Sequence, residues 1–212
     1  MHTRDISALL FGQGRPPADP SHRFDIHLPG LAEAPSEPTH AGVFEQHWLR
    51  TLAHVLVEEV QELHCVEQLQ NDHLGPAAVA ATEPILRYLY QMHARQTRDH
   101  LQKLDQVHQM LGLSPDGRVN LDMEGLIIGM KETIKENAPG RARDLSLLAA
   151  TLKIKQREVT GYCNARDYAQ LLGLEPVAAV LQATLNEETA LLERFTALNT
   201  LLTPHTNGHV YN

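Results

Sequence analysis

Cysteine, aromatic side chains, basic clusters and long apolar runs are all scarce in this chain. Its two cysteines, Cys65 and Cys163, both fall within helical patterns. They are too few for a disulfide framework and sit where reduced, small hydrophobes would. Only 5% of the residues are aromatic against 42% hydrophobic, which disfavours aromatic-rich sheet packing and points to Leu- and Ala-rich helices. The formal net charge is -8 and no Lys/Arg cluster is present, so the concentrated basic surface that phosphate backbones need is missing and no nucleic-acid partner is expected. No stretch reaches the roughly 18 apolar residues of a membrane span, and the opening MHTRDISALLFGQG holds too short an apolar core for a signal peptide. No membrane partner is expected, and the expected location is the reducing cytoplasm.

What is present is a chain of 212 residues, a length that suits one domain with extra segments. Residues 1–42 carry Pro16, Pro17, Pro20, Pro29, Pro35 and Pro38 among Gly, Ser and Asp, a composition that cannot offset its ordering entropy by burial. They read as an extended N-terminal arm. Its apolar runs Ile6–Phe11 and Ile26–Leu28 can dock on a partner subunit or pack on the parent domain. Residues 43–203 read as the folded domain and 204–212 as a C-terminal tail.

Four long helical periods fill the domain. The first runs from about Val43 to Leu74, with Leu49, Leu52, Leu56, Leu63, Val66 and Leu69 at three- and four-residue steps. In the second, Thr82 is a plausible N-cap and Pro84 lies in the first turn; Leu86, Leu89, Leu101, Leu104, Val107 and Leu111 follow before Gly112 ends it. A turn at Ser114–Gly117 leads to a shorter helix, Met123 to about Asn137, with Asp122 as its predicted cap and Pro139–Gly140 as its stop. The third long helix spans about Arg143 to Leu172, closed by Gly173, and the fourth about Pro176 to Leu202. Two close helix pairs joined by a long connection with one short helix predict an all-α fold, an antiparallel four-helix bundle of the ferritin-like kind.

Chemistry in such a bundle is sought where a polar residue breaks an apolar stripe, since a buried carboxylate or imidazole costs several kcal/mol unless paired or metal-bound. Glu188 lies in the stripe Leu181, Thr184, Glu188, Leu191, Phe195, Leu198, Leu202. On the second helix His93, Gln96 and His100 share a face with Leu86, Leu89, Leu104 and Val107. Glu59, His64 and Glu67 interrupt the first helix, and Glu158, between Ile154 and Tyr162, the third. Taken singly, each acid also fits a boundary residue with its carboxylate in water. An inward acid or imidazole on all four helices matches how carboxylate-bridged metal sites are built in bundles. Six of the thirteen histidines, His2, His22, His27, His40, His205 and His209, fall in the arm or tail and suit surface metal binding at most. His47 and His54, seven apart with no acid at ligand spacing, suit a solvated or interface role.

Over roughly residues 43–202 the chain resembles the YciE/YciF-type ferritin-like family of bacterial stress-associated proteins. The resemblance rests on Glu58–Leu63 with Val66–Leu69, Leu104–Val107 with Leu111–Gly112, the crossover Met123–Ile127, Glu158 with Tyr162, Ala165–Arg166, Leu171–Leu174, and Thr184–Glu188. It implies a carboxylate-bridged di-metal fold related to rubrerythrin and bacterioferritin, with iron or manganese as the possible metal. Carried over by position, it implies Glu67, His93, Glu158 and Glu188 as metal ligands. The chain departs from the family pattern in three places: Gln96 stands where an acid is usual, Lys155–Gln156 where Glu–His is usual, and Leu192 where a further acid is usual.

A di-iron centre needs about six protein ligands, and four positions match. The leading expectation is therefore a divergent, stress-associated member whose core site is degenerate or holds one metal, at low occupancy or none. Its role would be structural or interactive, as a homodimer. The alternative is an active di-iron or di-manganese carboxylate oxidase, a ferroxidase or a peroxide- or oxygen-consuming enzyme, in which Glu59, His64, His100 or Glu187 replaces the missing ligands. A third reading is a metal-free module in which Glu67, Glu158 and Glu188 pair with Lys155 and His93.

Overall fold

A computed structural model describes residues 40–115 and 120–203, with side chains from His47 onward. The predicted tail and all but the last residues of the predicted arm lie outside the described residues. Five helices carry the described chain: α1 His40–Ala80, α2 Pro84–Leu111, α3 Leu121–Glu136, α4 Arg141–Leu171 and α5 Glu175–Leu202. No strand occurs among the described residues, so the fold is all-α.

α1 outruns its predicted end at Leu74 and continues through Pro76 to Ala80. A proline inside a helix removes one hydrogen bond and costs about 3 kcal/mol. Here Ala77, Ala78 and Ala81 are buried immediately beyond it, and that packing overrides the local breaker. α3 also differs from expectation. Its cap is Asn120, whose Oδ1 accepts from the Met123 backbone N–H at 3.1 Å, and Asp122 lies inside the first turn. Asn and Asp cap about equally well, so the two positions compete and the earlier one wins.

α2 begins where Thr82 and Pro84 predict, but its cap comes from another helix. The Asp144 carboxylate of α4 accepts from the backbone N–H of Thr82 at 3.0 Å and of Glu83 at 2.7 Å, and from the Thr82 hydroxyl. The neighbouring Arg143 guanidinium donates to the Ala80 carbonyl and Arg87 to the Ala81 carbonyl. The orphan groups at both sides of the α1–α2 turn are thereby satisfied. α4 ends at Gly173, whose φ of 72° is the left-handed conformation glycine adopts without strain. The Leu174 N–H then reaches back to the Ala169 carbonyl at 2.8 Å, the six-to-one bond of a Schellman stop.

The described chain divides into two compact units, and each of the four long helices supplies a segment to both. The first unit draws on residues before Val66 and on 100–119 and 160–185; its buried side chains include Leu56, Val60, Leu104, Val107, Tyr162, Ala165 and Leu181. α1 and α4 approach closely there. A Cβ at Gly161 would stand 2.9 Å from Glu59 Oε1 and 3.0 Å from Leu63 Cδ2. The second unit comprises residues 66–99, 120–159 and those from Asn186 on. Leu74, Leu86, Leu89, Met123, Ile127, Leu147, Leu191 and Phe195 form its core.

Candidate functional site

Polar residues are buried inside the second unit at the stripe breaks the sequence singles out. On α4 the buried positions Leu147, Leu148, Thr151, Ile154, Lys155 and Glu158 recur at three- and four-residue steps. Lys155 and Glu158 therefore enter the interior on the same face as the leucines. By the same periodicity α5 brings Glu188 in with Leu191 and Phe195, α2 brings His93 in with Leu89 and Tyr90, and α1 brings Glu67 and Gln70 in with Val66 and Leu74. Glu67, Gln70, His93, Lys155, Glu158 and Glu188 are each at most 2% exposed.

The four predicted ligands, Glu67, His93, Glu158 and Glu188, are all in this unit. Lys155, on the same interior face of α4, binds two of them. Its Nζ lies 2.6 Å from Glu158 Oε2 and donates to Glu188 Oε2. The second oxygen of Glu158, Oε1, accepts from the Gln70 side-chain amide. His93 packs its ring edge against Phe195, with centroids 6.1 Å apart. The ligand atoms of His93, Glu158 and Glu188 lie within 4.8 Å of one another, a spacing at which one cation can be shared.

Burial alone would strip the proton from Lys155, but the charges of Glu158, Glu188 and Glu67 and the hydrogen bond to Glu158 outweigh it. The ammonium is held above the ordinary lysine range. Burial, with Glu188 and Glu67 adding to it, pushes the Glu158 carboxyl well above the ordinary range, and Lys155 only partly opposes the shift. Lysine is the permanent cation here, and Glu158 is an acid that resists ionising.

The positions where the family resemblance asks for further ligands do not supply them. Gln156 is exposed and Leu192 half-buried. Gln96 lines a groove of about 240 Å³ with Met92, Asn186, Glu187 and Arg194. Two divalent cations need more anionic ligands than three carboxylates provide, and an ammonium already bridges two of those. The residues do not fit a two-metal centre.

Two of the substitute ligands the sequence offers, Glu59 and His64, have their own surroundings in the first unit. His64 Nε2 meets Asp105 Oδ1 at 3.1 Å, and Glu59 approaches Gly161. Gln70 is the one residue at the Lys155 cluster that sequence reasoning missed. Its signal was available, since it follows Glu67 by three residues on the same face of α1.

The fold is shared with known relatives. The chain is 27% identical over 143 residues to the protein YciF of Escherichia coli strain K12, a match covering 67% of this chain and 86% of that protein. The crystal structure of the E. coli stress protein YciF superposes with a TM-score of 0.68 at 26% identity, covering 71% of this chain and 96% of the other. YcfI of Rhodopseudomonas palustris, described as a candidate structural protein, superposes with a TM-score of 0.66 at 25% identity, covering 71% and 96%. The family model described as "Domain of unknown function (DUF892)" matches residues 51–206; the chain belongs to that family and is of the YciF type, with its ferritin-like helical fold.

Proposed function

We propose that this protein is a ferritin-like, stress-associated bundle whose core site no longer runs two-metal oxygen chemistry, and that it acts in a structural or interaction role as a homodimer in the cytoplasm. The observation that carries the reading is the Lys155 ammonium ion-paired with Glu158 and Glu188 in the interior. A fixed internal cation of this kind consumes carboxylate charge that a two-metal centre would need. Support for the stress association comes from the E. coli relative, described as a stress protein. Support for the structural role comes from the R. palustris relative. Ile85 and Tyr88, one turn apart on α2 and both about half exposed, support self-association through an outward helix face.

The test is oxygen and peroxide consumption after anaerobic loading with Fe(II) or Mn(II). Consumption at the rate of the free metal ion is expected. A saturable, protein-dependent rate that Glu158→Ala abolishes would overturn the reading and establish the oxidase alternative.

A further inference from the structure

Met92 of α2 and Arg194 of α5 meet at the surface of the second unit. Arg194 Nη1 lies 3.0 Å from the Met92 sulfur and donates to it. A thioether is a weak acceptor, and a guanidinium binds charged or strongly polar oxygens far better. Met92 packs, partly buried, against the core of this unit. Both side chains also line the groove of about 240 Å³, with Gln96, Asn186 and Glu187. A molecule of hydrogen peroxide is little larger than a water, whose share of liquid volume is about 30 Å³, so the groove has room for one beside Met92.

The chemistry of the pair favours oxygen transfer to sulfur. The thioether has two lone pairs, and Arg194 occupies one of them. The other attacks an oxygen of the peroxide: an S–O bond forms as the O–O bond breaks, sulfur loses two electrons and the peroxide gains them. The departing hydroxide takes the proton left on the transferred oxygen and leaves as water. Negative charge develops on that hydroxide, and a fixed donor beside it stabilises the transition state. The product is methionine sulfoxide, a polar group that ordinarily disrupts the packing of a buried methionine. Here Arg194, exposed on α5, can shift an N–H from sulfur to the new oxygen and exchange a weak hydrogen bond for a charge-assisted one.

We propose that Met92 is a site of reversible oxidation by hydrogen peroxide, with Arg194 as the donor that assists the transfer and then holds the sulfoxide oxygen. Met110, on the same helix, is an internal control. At 38% exposure it is the most open methionine among the described residues, and accessibility alone makes it the first to react. Met123 and Met130 are buried. The proposal does not depend on Lys155 or on any metal.

The test is dilute hydrogen peroxide on full-length protein in the presence of a chelator, with peptide mass mapping of each methionine over time. Met92 is expected to gain its oxygen severalfold faster than Met110, and Arg194→Gln to lose that preference. Because Arg194 covers one lone pair, a single sulfoxide epimer is expected at Met92, returned to the thioether by only one of the two epimer-specific methionine sulfoxide reductases. The oxidised wild type should keep its helical circular dichroism, since the new oxygen has a donor. Met110 reacting level with or ahead of Met92, or an unchanged preference in Arg194→Gln, would overturn the assisting role. A mixture of epimers that needs both reductases, or loss of helical signal on oxidation of Met92, would show damage in place of a held sulfoxide and overturn the site.

Discussion

Replacing Lys155 by methionine keeps the length and most of the volume of the side chain while deleting its charge. The substitution leaves Glu158 and Glu188 in the interior without the cation that both now contact. Breaking a buried ion pair by removing one partner costs about 3–5 kcal/mol. Uptake of a proton by Glu158, whose carboxyl burial already raises, limits that figure. A loss of about 3–5 kcal/mol at pH 7.5 should therefore shrink toward pH 5, where a protonated Glu158 no longer needs the lysine. The assay is urea unfolding of metal-free protein followed by circular dichroism at both pH values, with the slope checked to be unchanged. At about 2–4 °C per kcal/mol for a domain of this size, the thermal midpoint at pH 7.5 should fall by roughly 6–20 °C. A loss under about 1 kcal/mol at pH 7.5, or a loss that grows on acidification, would refute the claim that Lys155 is the internal cation of the core.

The carboxyl of Glu158 is raised in the folded state, so above about pH 4.5 the native protein binds the extra proton and stability falls with pH by up to about 1.4 kcal/mol per unit until the folded value is passed. Glu158→Gln should flatten that decline in metal-free protein, and an unaltered slope would count against the shift. His108 is buried with its pKa lowered, chiefly by burial, and its Nδ1 lies 2.8 Å from the Leu104 carbonyl. The unfolded chain then takes up a proton first as pH falls below about 6.5, and stability is lost there. His108→Phe should show a smaller drop in thermal midpoint between pH 7 and pH 5 than wild type, and an equal drop would remove His108 as the cause. Asp144→Ala removes the acceptor for two backbone N–H groups at the start of α2 and should cost about 1–3 kcal/mol in urea unfolding. A change within about 0.5 kcal/mol would show that solvent caps α2 equally well.

Legibility in the sequence followed the range of the interactions concerned. Helices α2, α4 and α5 were readable because apolar spacing, Pro84 and Pro176 near their starts and Gly112 and Gly173 at their ends are all local signals. The inward acids were readable for the same reason, since Glu188 is the one charged residue in the stripe from Leu181 to Leu202 along α5. The end of α1 was not, because Pro76 is a strong local stop and only the burial of Ala77, Ala78 and Ala81 against other helices overrides it. Nor was the cap of α2, whose carboxylate arrives from Asp144, more than sixty residues downstream of Thr82. The pairing of Lys155 was one of three readings the sequence allowed. Choosing among them required knowing that Lys155, and not Gln156, enters the interior, and one position of helical phase decides that.

The Lys155 ammonium, and not a metal ion, lies between Glu158 and Glu188. The most direct test is a crystal structure of protein grown with excess Fe(II) under anaerobic conditions, with anomalous differences recorded across the iron edge. No more than one anomalous peak is expected in the core, with Lys155 Nζ still within hydrogen-bonding distance of both glutamates. Two core peaks, with the Lys155 side chain turned away from Glu158 and Glu188, would contradict it.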